Sequence, residues 1–93
     1  MPHFVYILQS LKDQKYYIGE SSNVNERLQF HNNGLQRSTR GRKPFRIVLV
    51  ESYQDKKEAL KREKEIKSWK GGLKFKILIE GSSPAERDTT FGT

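Results

Sequence analysis

The chain contains no cysteine and no long apolar run, and each absence excludes a class of protein. Without cysteine there is neither a disulfide framework nor a thiolate zinc site, which fits a reducing cytoplasm and leaves stability to the hydrophobic core. The longest apolar run near the start, Phe4 to Leu8, has five residues. A signal peptide needs a longer apolar core, and a membrane span needs roughly 20 residues. We therefore expect a cytoplasmic protein with no export signal and no membrane association.

Basic residues outnumber acidic ones. The chain has 93 residues, enough for one domain, and 18 Lys plus Arg against 11 Asp plus Glu give a net charge of +7. This excess favours an anionic partner, nucleic acid above all, although composition alone fits equally well a small protein that stays in solution through its charge. Acidic residues are absent from Leu35 to Arg46. This segment is predicted to be a basic loop that binds nucleic acid through Arg37, Arg40, Arg42, Lys43 and Arg46.

Three short segments are predicted to be β-strands because they are rich in β-branched and aromatic residues. Phe4 to Gln9 and Lys15 to Gly19 are separated by a polar stretch and predict a hairpin, with Tyr6 and Tyr17 on neighbouring strands. The third segment, Ile47 to Tyr53, contains an Ile-Val-Leu-Val run that suggests burial on both faces.

Two helices are indicated by their capping residues. Asn23, followed three positions later by Glu26, resembles a capping box and predicts a helix that runs to about Asn32. Asp55 opens a second helix that is expected to reach Lys70, where a Gly-Gly pair ends it.

The resulting order, β-β-α-β-α, predicts an α/β fold with a small three-stranded antiparallel sheet flanked by helices. Leu73 to Ile79 fits either a further helical turn or a strand. We expect residues 1–80 to form the domain. Residues 81–93, rich in Gly, Ser, Thr and Pro, are expected to form a flexible tail.

One carboxylate of the second helix is predicted to face inward. Glu63 falls within the apolar stripe that contains Ala59 and Ile66, and a carboxylate in such a place needs a compensating cation. That cation could be Lys67 or Lys70 in a structural ion pair, which is the more common outcome for an isolated glutamate. The alternative is a metal ion, because Mg²⁺ is typically held by one or two carboxylates together with water and substrate phosphate.

Arg27 and His31 are four residues apart and therefore lie on one face of the first helix. Arg27 could simply face solvent, His31 could be a structural group near apolar residues, and a pair of tyrosines in a small sheet could belong to the core. We expect the helix to direct both residues toward Tyr6 and Tyr17. The combination of two phenols, a guanidinium, an imidazole and the Glu63 carboxylate then predicts a functional site.

The ordered motifs resemble those of the GIY-YIG nuclease superfamily. They are Val5-Tyr6-Ile7, Tyr17-Ile18-Gly19, the following Arg27 and His31, and the Ala59–Glu63 segment. The resemblance spans nearly all of the chain and is to the small stand-alone members, whose larger relatives include the incision subunit of excision repair and homing endonucleases. It implies a divalent-metal-dependent endonuclease, with DNA as the expected substrate and one Mg²⁺ or Mn²⁺ ion as the cofactor.

By this resemblance, Tyr6 and Tyr17 orient or deprotonate the attacking water. Arg27 steadies the charge that develops on the phosphate, His31 assists proton transfer, and Glu63 anchors the metal. These roles suit the groups, since an arginine fork matches phosphate geometry and a phenol needs a nearby cation to act as a base at neutral pH.

The sequence departs from the superfamily pattern at two positions. Val5 replaces the glycine of the first triplet, and Glu20 follows the second triplet where incision subunits tend to carry a lysine. We expect Glu20 to repel a nearby phosphate, which bears on efficiency or substrate class.

We expect no separate DNA-binding domain, so the basic loop, or a protein partner, is expected to supply targeting. A monomer is expected. Two other functions stay open: a nucleic-acid-binding module without turnover, and a small RNA-binding protein whose tyrosines stack on bases.

Overall fold

The computed structural model of the protein describes residues 2–37 and 39–81. Its strands are β1 His3–Ser10, β2 Tyr16–Ser21 and β3 Phe45–Tyr53, and its α-helices are α1 Val24–Asn32, α2 Lys56–Trp69 and α3 Leu73–Gly81, with a short 3-10 helix at Arg40–Arg42. The predicted α/β fold with a three-stranded antiparallel sheet is confirmed. The predicted tail, residues 81–93, begins with the last residue of α3, and its other residues lie outside the described part of the chain.

The sheet has the order β2-β1-β3, so β1 is its central strand. Val5, Tyr6, Ile7 and Leu8 are all at most 1% exposed. The prediction that the third strand is buried on both faces is wrong, because β3 is an edge strand and its Val50 is 43% exposed. The strand that is buried on both faces is β1, which has a neighbour on each side.

The third strand also begins earlier than predicted. Phe45 pairs with Ser10 and Arg46 pairs with Gln9, which places Arg46 in the strand rather than in the basic loop. A shift in register follows along β1, where Ile7 faces Leu49 but Leu8 faces Ile47.

Two apolar clusters cover the two faces of the sheet. On one face, Val5, Ile7 and Ile18 pack with residues of α2 and α3, among them Ala59 and Ile66, which are fully buried. On the other face, the cluster of Tyr6, Leu8 and Phe45 packs against Val24 and Leu28 of α1. The protein is therefore layered, with α1 on one side of the sheet and the other two helices opposite.

The predicted helix caps are confirmed. The Asn23 side chain accepts a hydrogen bond from the Glu26 backbone N–H at 3.0 Å, and Asp55 does the same for Glu58 at 2.9 Å. Each bond satisfies an otherwise free N–H of a first helical turn.

The segment that the sequence left open, Leu73 to Ile79, is helical. Phe75 is buried, and Leu78 and Ile79 pack against the same cluster, which is the three-to-four-residue spacing of an amphipathic helix. Among the described residues, no helix is both long and apolar enough to cross a membrane.

Candidate active site

The pairing of β1 with β2 places Tyr6 directly opposite Gly19. A Cβ atom at position 19 would lie 2.6 Å from Tyr6 Cζ and closer still to the hydroxyl oxygen, so the phenol ring rests on the glycine. This contact explains why the second triplet ends in glycine. The glycine missing from the first triplet has no such role, because Val5 faces the opposite side of the sheet and fills the core there.

A chain of hydrogen bonds runs behind Tyr6. The Tyr6 hydroxyl lies 3.5 Å from His31 Nε2, and His31 Nδ1 lies 2.8 Å from Thr39 Oγ1. The Thr39 hydroxyl in turn donates to the Gln36 carbonyl at 3.3 Å, so it accepts from a protonated Nδ1 of His31. This tautomer leaves Nε2 as an acceptor for the Tyr6 hydroxyl.

Thr39 is a site residue that sequence reasoning missed. It is fully buried, as is His31, although it lies in a segment that is otherwise polar and basic. A threonine next to a serine in such a loop gives no pattern that distinguishes it from a solvated hydroxyl. Only the three-dimensional contact with His31 identifies it.

The two tyrosines and His31 form one aromatic group. The Tyr17 and His31 ring centroids are 4.6 Å apart, and those of Tyr6 and Tyr17 are 6.4 Å apart. Tyr6 is 1% exposed, whereas Tyr17 is half-buried. Of the two phenols, Tyr17 is therefore the more accessible to a substrate.

Arg27 lies beside this group. Its guanidinium is 4.2 Å from the centroid of the Phe30 ring, which holds the long side chain against α1. Burial raises the pKa of Tyr6, and hydrogen bonding to Arg27 and the positive charge of Arg27 act in the opposite direction. Burial, with a smaller contribution from Arg27, lowers the pKa of His31 to about 4. At neutral pH, Tyr6 is therefore a protonated phenol and His31 is a neutral imidazole.

Glu63 is partly buried, with a side chain 15% exposed, and forms an ion pair with Lys67 at 3.0 Å. This is one of the two partners considered from the sequence. The carboxylate also lies near enough to Tyr6 for its negative charge to contribute to the raised pKa of that phenol. Glu63 of α2 and Arg27 of α1 thus act on the same hydroxyl from helices on opposite faces of the sheet.

The donor set near Glu63 fits a metal ion that arrives with its substrate. Within the part of the chain that the structure describes, no group of three or more His, Cys, Asp or Glu side chains is placed to hold a metal. A single carboxylate agrees with Mg²⁺, which keeps most of its water and takes further oxygen ligands from phosphate. Lys67 is 55% exposed, so its ammonium group can turn to solvent when a stronger cation binds Glu63.

The five cations assigned to nucleic acid differ in how they are held. Arg40 donates to the Gly34 carbonyl at 2.9 Å, Arg42 pairs with Asp13 at 3.2 Å, and Arg46 donates to Gln9. Arg37 and Lys43 are exposed.

Glu20 lies on the face of β2 opposite Tyr17, because side chains alternate along a strand. Its carboxylate is 2.9 Å from His3 Nδ1, and its side chain is 10% exposed. The carboxylate that was expected to repel phosphate is therefore held by a neighbouring histidine on the other side of the strand.

The sequence is similar to those of several known proteins. A UPF0213 protein of Staphylococcus epidermidis is 44% identical over 80 residues, which cover 85% of this chain and 96% of the relative. A UPF0213 protein of Staphylococcus aureus is 40% identical over 79 residues, which cover 84% of this chain and 95% of the relative.

The same likeness extends to a solved structure. The solution NMR structure of a UPF0213 protein of Bacillus halodurans matches with a TM-score of 0.58 and 35% identity, covering all of this chain and 99% of the other. The family model of the GIY-YIG catalytic domain matches residues 2–76, which include both tyrosine triplets, Arg27, His31 and Glu63. The chain therefore belongs to the GIY-YIG family, a family of nuclease domains.

Proposed function

We propose that this protein is a divalent-metal-dependent endonuclease that hydrolyses phosphodiester bonds of nucleic acid, with DNA as the favoured substrate. The observation that carries the proposal is a convergence of groups: the ring centroids of Tyr6, Tyr17 and His31 lie 4.6 to 6.4 Å apart, and the charges of Arg27 and Glu63 act on the Tyr6 hydroxyl. A core tyrosine needs no such neighbours, whereas a hydrolytic site for a phosphodiester needs water-positioning groups, a cation for the phosphate and an anion for the metal.

The accessible phenol, Tyr17, is proposed to contact the attacking water. Its ring packs on His31, which restricts its position on the face of β2 that α1 covers. The water forms the new phosphorus–oxygen bond and releases its proton to solvent by way of the Tyr17 hydroxyl. The ester bond on the opposite side of the phosphorus breaks, and the leaving oxygen takes up a proton from solvent.

Tyr6 and His31 are proposed to position this water rather than to exchange protons with it. The Tyr6 hydroxyl hydrogen is directed to His31 Nε2, which leaves the lone pairs of the phenol oxygen for other partners. With a pKa of about 4, His31 stays neutral and serves as an acceptor. Thr39 holds the imidazole in the tautomer that this requires.

Arg27 is proposed to bind the phosphate oxygens. Its planar donor fork matches two oxygens of a phosphate, and its contact with the Phe30 ring restricts its motion before the substrate binds. Both effects favour the transition state, in which negative charge on these oxygens increases.

Glu63 is proposed to hold one Mg²⁺ or Mn²⁺ ion together with water and the substrate phosphate. When bound, such an ion lowers the pKa of a coordinated water and neutralises charge on the leaving oxygen. For Glu63 itself, this role requires only that its carboxylate leave Lys67.

The test is cleavage of supercoiled plasmid, a branched duplex and single-stranded RNA in Mg²⁺, Mn²⁺ or chelator. We expect cleavage of DNA with either metal and none in chelator. Glu63→Gln should abolish cleavage while keeping the fold. Glu65→Gln is the matched control, because it removes the same charge from the exposed side of the same helix, where Glu65 pairs with Arg62. Equal activity in both variants would remove Glu63 from the site.

A nucleic-acid-binding module without turnover is the second candidate, and the ion pair of Glu63 with Lys67 favours it. In such a module Glu63 is satisfied by the protein itself. Binding of nucleic acid in chelator with no cleavage in any metal, by a wild-type protein of native stability, would establish this alternative and refute the nuclease.

A further inference from the structure

A cavity of about 740 Å³ lies beside the hairpin turn, between Arg42, the end of α2 and α3. This volume is within the range of about 300–1,000 Å³ that is usual for small-ligand sites. The cavity is separate from the candidate active site. Tyr16, which lines it, packs with the α2 and α3 cluster, whereas the adjacent Tyr17 packs with the α1 cluster.

The rim of this cavity carries an excess of positive charge. Among the described lining residues, the cations are Lys15, Arg42, Lys70 and Lys76, and the acids are Asp13 and Glu80. Asp13 is already paired with Arg42.

Two of these cations converge on one neutral atom. Lys70 Nζ donates to the Tyr16 carbonyl at 2.7 Å, and an Arg42 nitrogen donates to the same oxygen at 3.4 Å. Burial lowers the pKa of Lys70, and the positive charges of Arg42, Lys67 and Lys15 lower it further. Like charges this close repel one another, so an anion placed between them would be favoured.

The floor of the cavity is apolar. The rings of Tyr16 and Phe75 meet edge to face with centroids 5.2 Å apart, and Ile79 continues the surface along α3. A ligand that matches both floor and rim has a flat apolar part and an attached anion. A nucleoside phosphate has this chemistry within one unit, whereas an Asp or Glu side chain of an acidic peptide has no flat apolar part.

We propose that this cavity binds one unstacked nucleotide of a nucleic-acid chain, with the base against Tyr16 and Ile79 and its phosphate between Arg42 and Lys70. The proposal rests on the proposed function for its choice of partner. β2 is an edge strand, so a chain that passes the phenol of Tyr17 can turn around this edge and reach the cavity on the other face. A cavity of this size admits a single base and excludes a duplex, so the preferred substrate would carry unpaired nucleotides next to the scissile bond.

The test is binding in chelator, so it does not depend on cleavage. A 5′-fluorescein-labelled dT8 oligonucleotide is titrated with the full-length protein at low salt, and anisotropy is measured. Lys76→Glu reverses a charge on the cavity rim. Lys74→Glu is the matched control on the same helix, since Lys74 lies over the Trp69 ring outside the cavity.

We expect Lys76→Glu to weaken binding by about fivefold or more, and Lys74→Glu by less than about twofold, because only the first cation lines the cavity that holds the nucleotide. In ¹H–¹⁵N spectra, dT8 should shift the amides of Gly71 and Gly72, which line the cavity. Free dTMP serves as competitor. If dTMP displaces labelled dT8 only at concentrations far above those at which dT8 binds, the cavity is a site for a nucleic-acid chain. If dTMP is as potent as dT8, the cavity is a site for a free nucleotide, and the proposal is wrong.

Equal loss of binding in both lysine variants would mean that binding depends only on the overall surface charge, and the proposed cavity site would be wrong. Unshifted amides of Gly71 and Gly72 at saturating dT8 would refute it as well. A protein that binds dT8 in the cavity and never cleaves would keep this inference and refute the nuclease.

Discussion

Gly19→Ala is the substitution whose effect the structure fixes most directly. The new methyl group would lie 2.6 Å from Tyr6 Cζ and nearer to the hydroxyl oxygen, and Tyr6 is only 1% exposed, so its ring has no free space to enter. The backbone at Gly19 does not adopt a left-handed conformation, so an alanine backbone is not strained there. Two effects of opposite sign therefore compete.

Replacing a strand glycine by alanine normally stabilises a protein by about 0.4–1 kcal/mol, because the unfolded chain loses freedom. Forcing an extra methyl group into a packed core costs about 1–3 kcal/mol. The overpacking dominates, and we expect a net loss of about 1–2 kcal/mol. For a domain of this size each kcal/mol corresponds to about 4–8 °C in Tm.

The assay is urea unfolding followed by circular dichroism. The control is Gly41→Ala, where a methyl group would meet nothing within 4 Å. A second variant, Gly19→Ala with Tyr6→Phe, removes the hydroxyl oxygen but not Cζ, so it should recover part of the lost stability. It should not cleave nucleic acid, because the Tyr6 hydroxyl is absent. If Gly19→Ala proved as stable as Gly41→Ala, Tyr6 would not rest on Gly19, and the geometry of the site would be wrong.

Three further predictions concern the charges of the site. Lys67→Gln should still cleave and should need less Mg²⁺ for half-maximal rate, because it removes the cation that competes for Glu63. A need for more Mg²⁺ than in the wild-type protein would contradict the role of Glu63 in metal binding. The free energy of unfolding should fall by about 2 kcal/mol from pH 7 to pH 5. The unfolded chain binds a proton at His31 near pH 6.5, whereas the folded protein, in which the pKa of His31 is about 4, does not bind it in this range. The pH dependence should be weaker in His31→Gln. The double variant Arg37→Gln/Lys43→Gln should flatten the log–log salt dependence of DNA binding by about 2, and an unchanged slope would place the binding face elsewhere.

Much of the fold could be predicted because its signals are short-range. The caps at Asn23 and Asp55 depend on residues three positions apart, and the hairpin follows from two apolar segments around a polar turn. The order of the strands could not be predicted in this way. It depends on which surfaces the helices cover, and the apolar run of β3 resembled a central strand although Val50 is exposed at an edge.

The candidate site shows the same division. The spacing of Arg27 and His31 on α1 was sufficient to place both on the side of the tyrosines. The contact of Thr39 with His31 joins a loop to a helix and has no local signal. The cavity beside Tyr16 likewise depends on α3, whose sequence alternates closely enough to fit a strand as well as a helix.

The position of β2 at the sheet edge explains how one hydroxyl meets groups from both faces of the molecule. A central strand would keep Arg27 of α1 apart from Glu63 of α2, because a continuous sheet lies between the two helices. Gly19, which carries no side chain, leaves the space on this edge strand that the Tyr6 ring occupies, and there the charges of Arg27 and Glu63 both act on the phenol. A shift of one residue in the pairing of β1 with β2 would put Ile18 or Glu20 opposite Tyr6, and the ring would lose that space. The register of this strand pair therefore decides whether the Tyr6 ring can rest on the sheet beside Arg27 and Glu63.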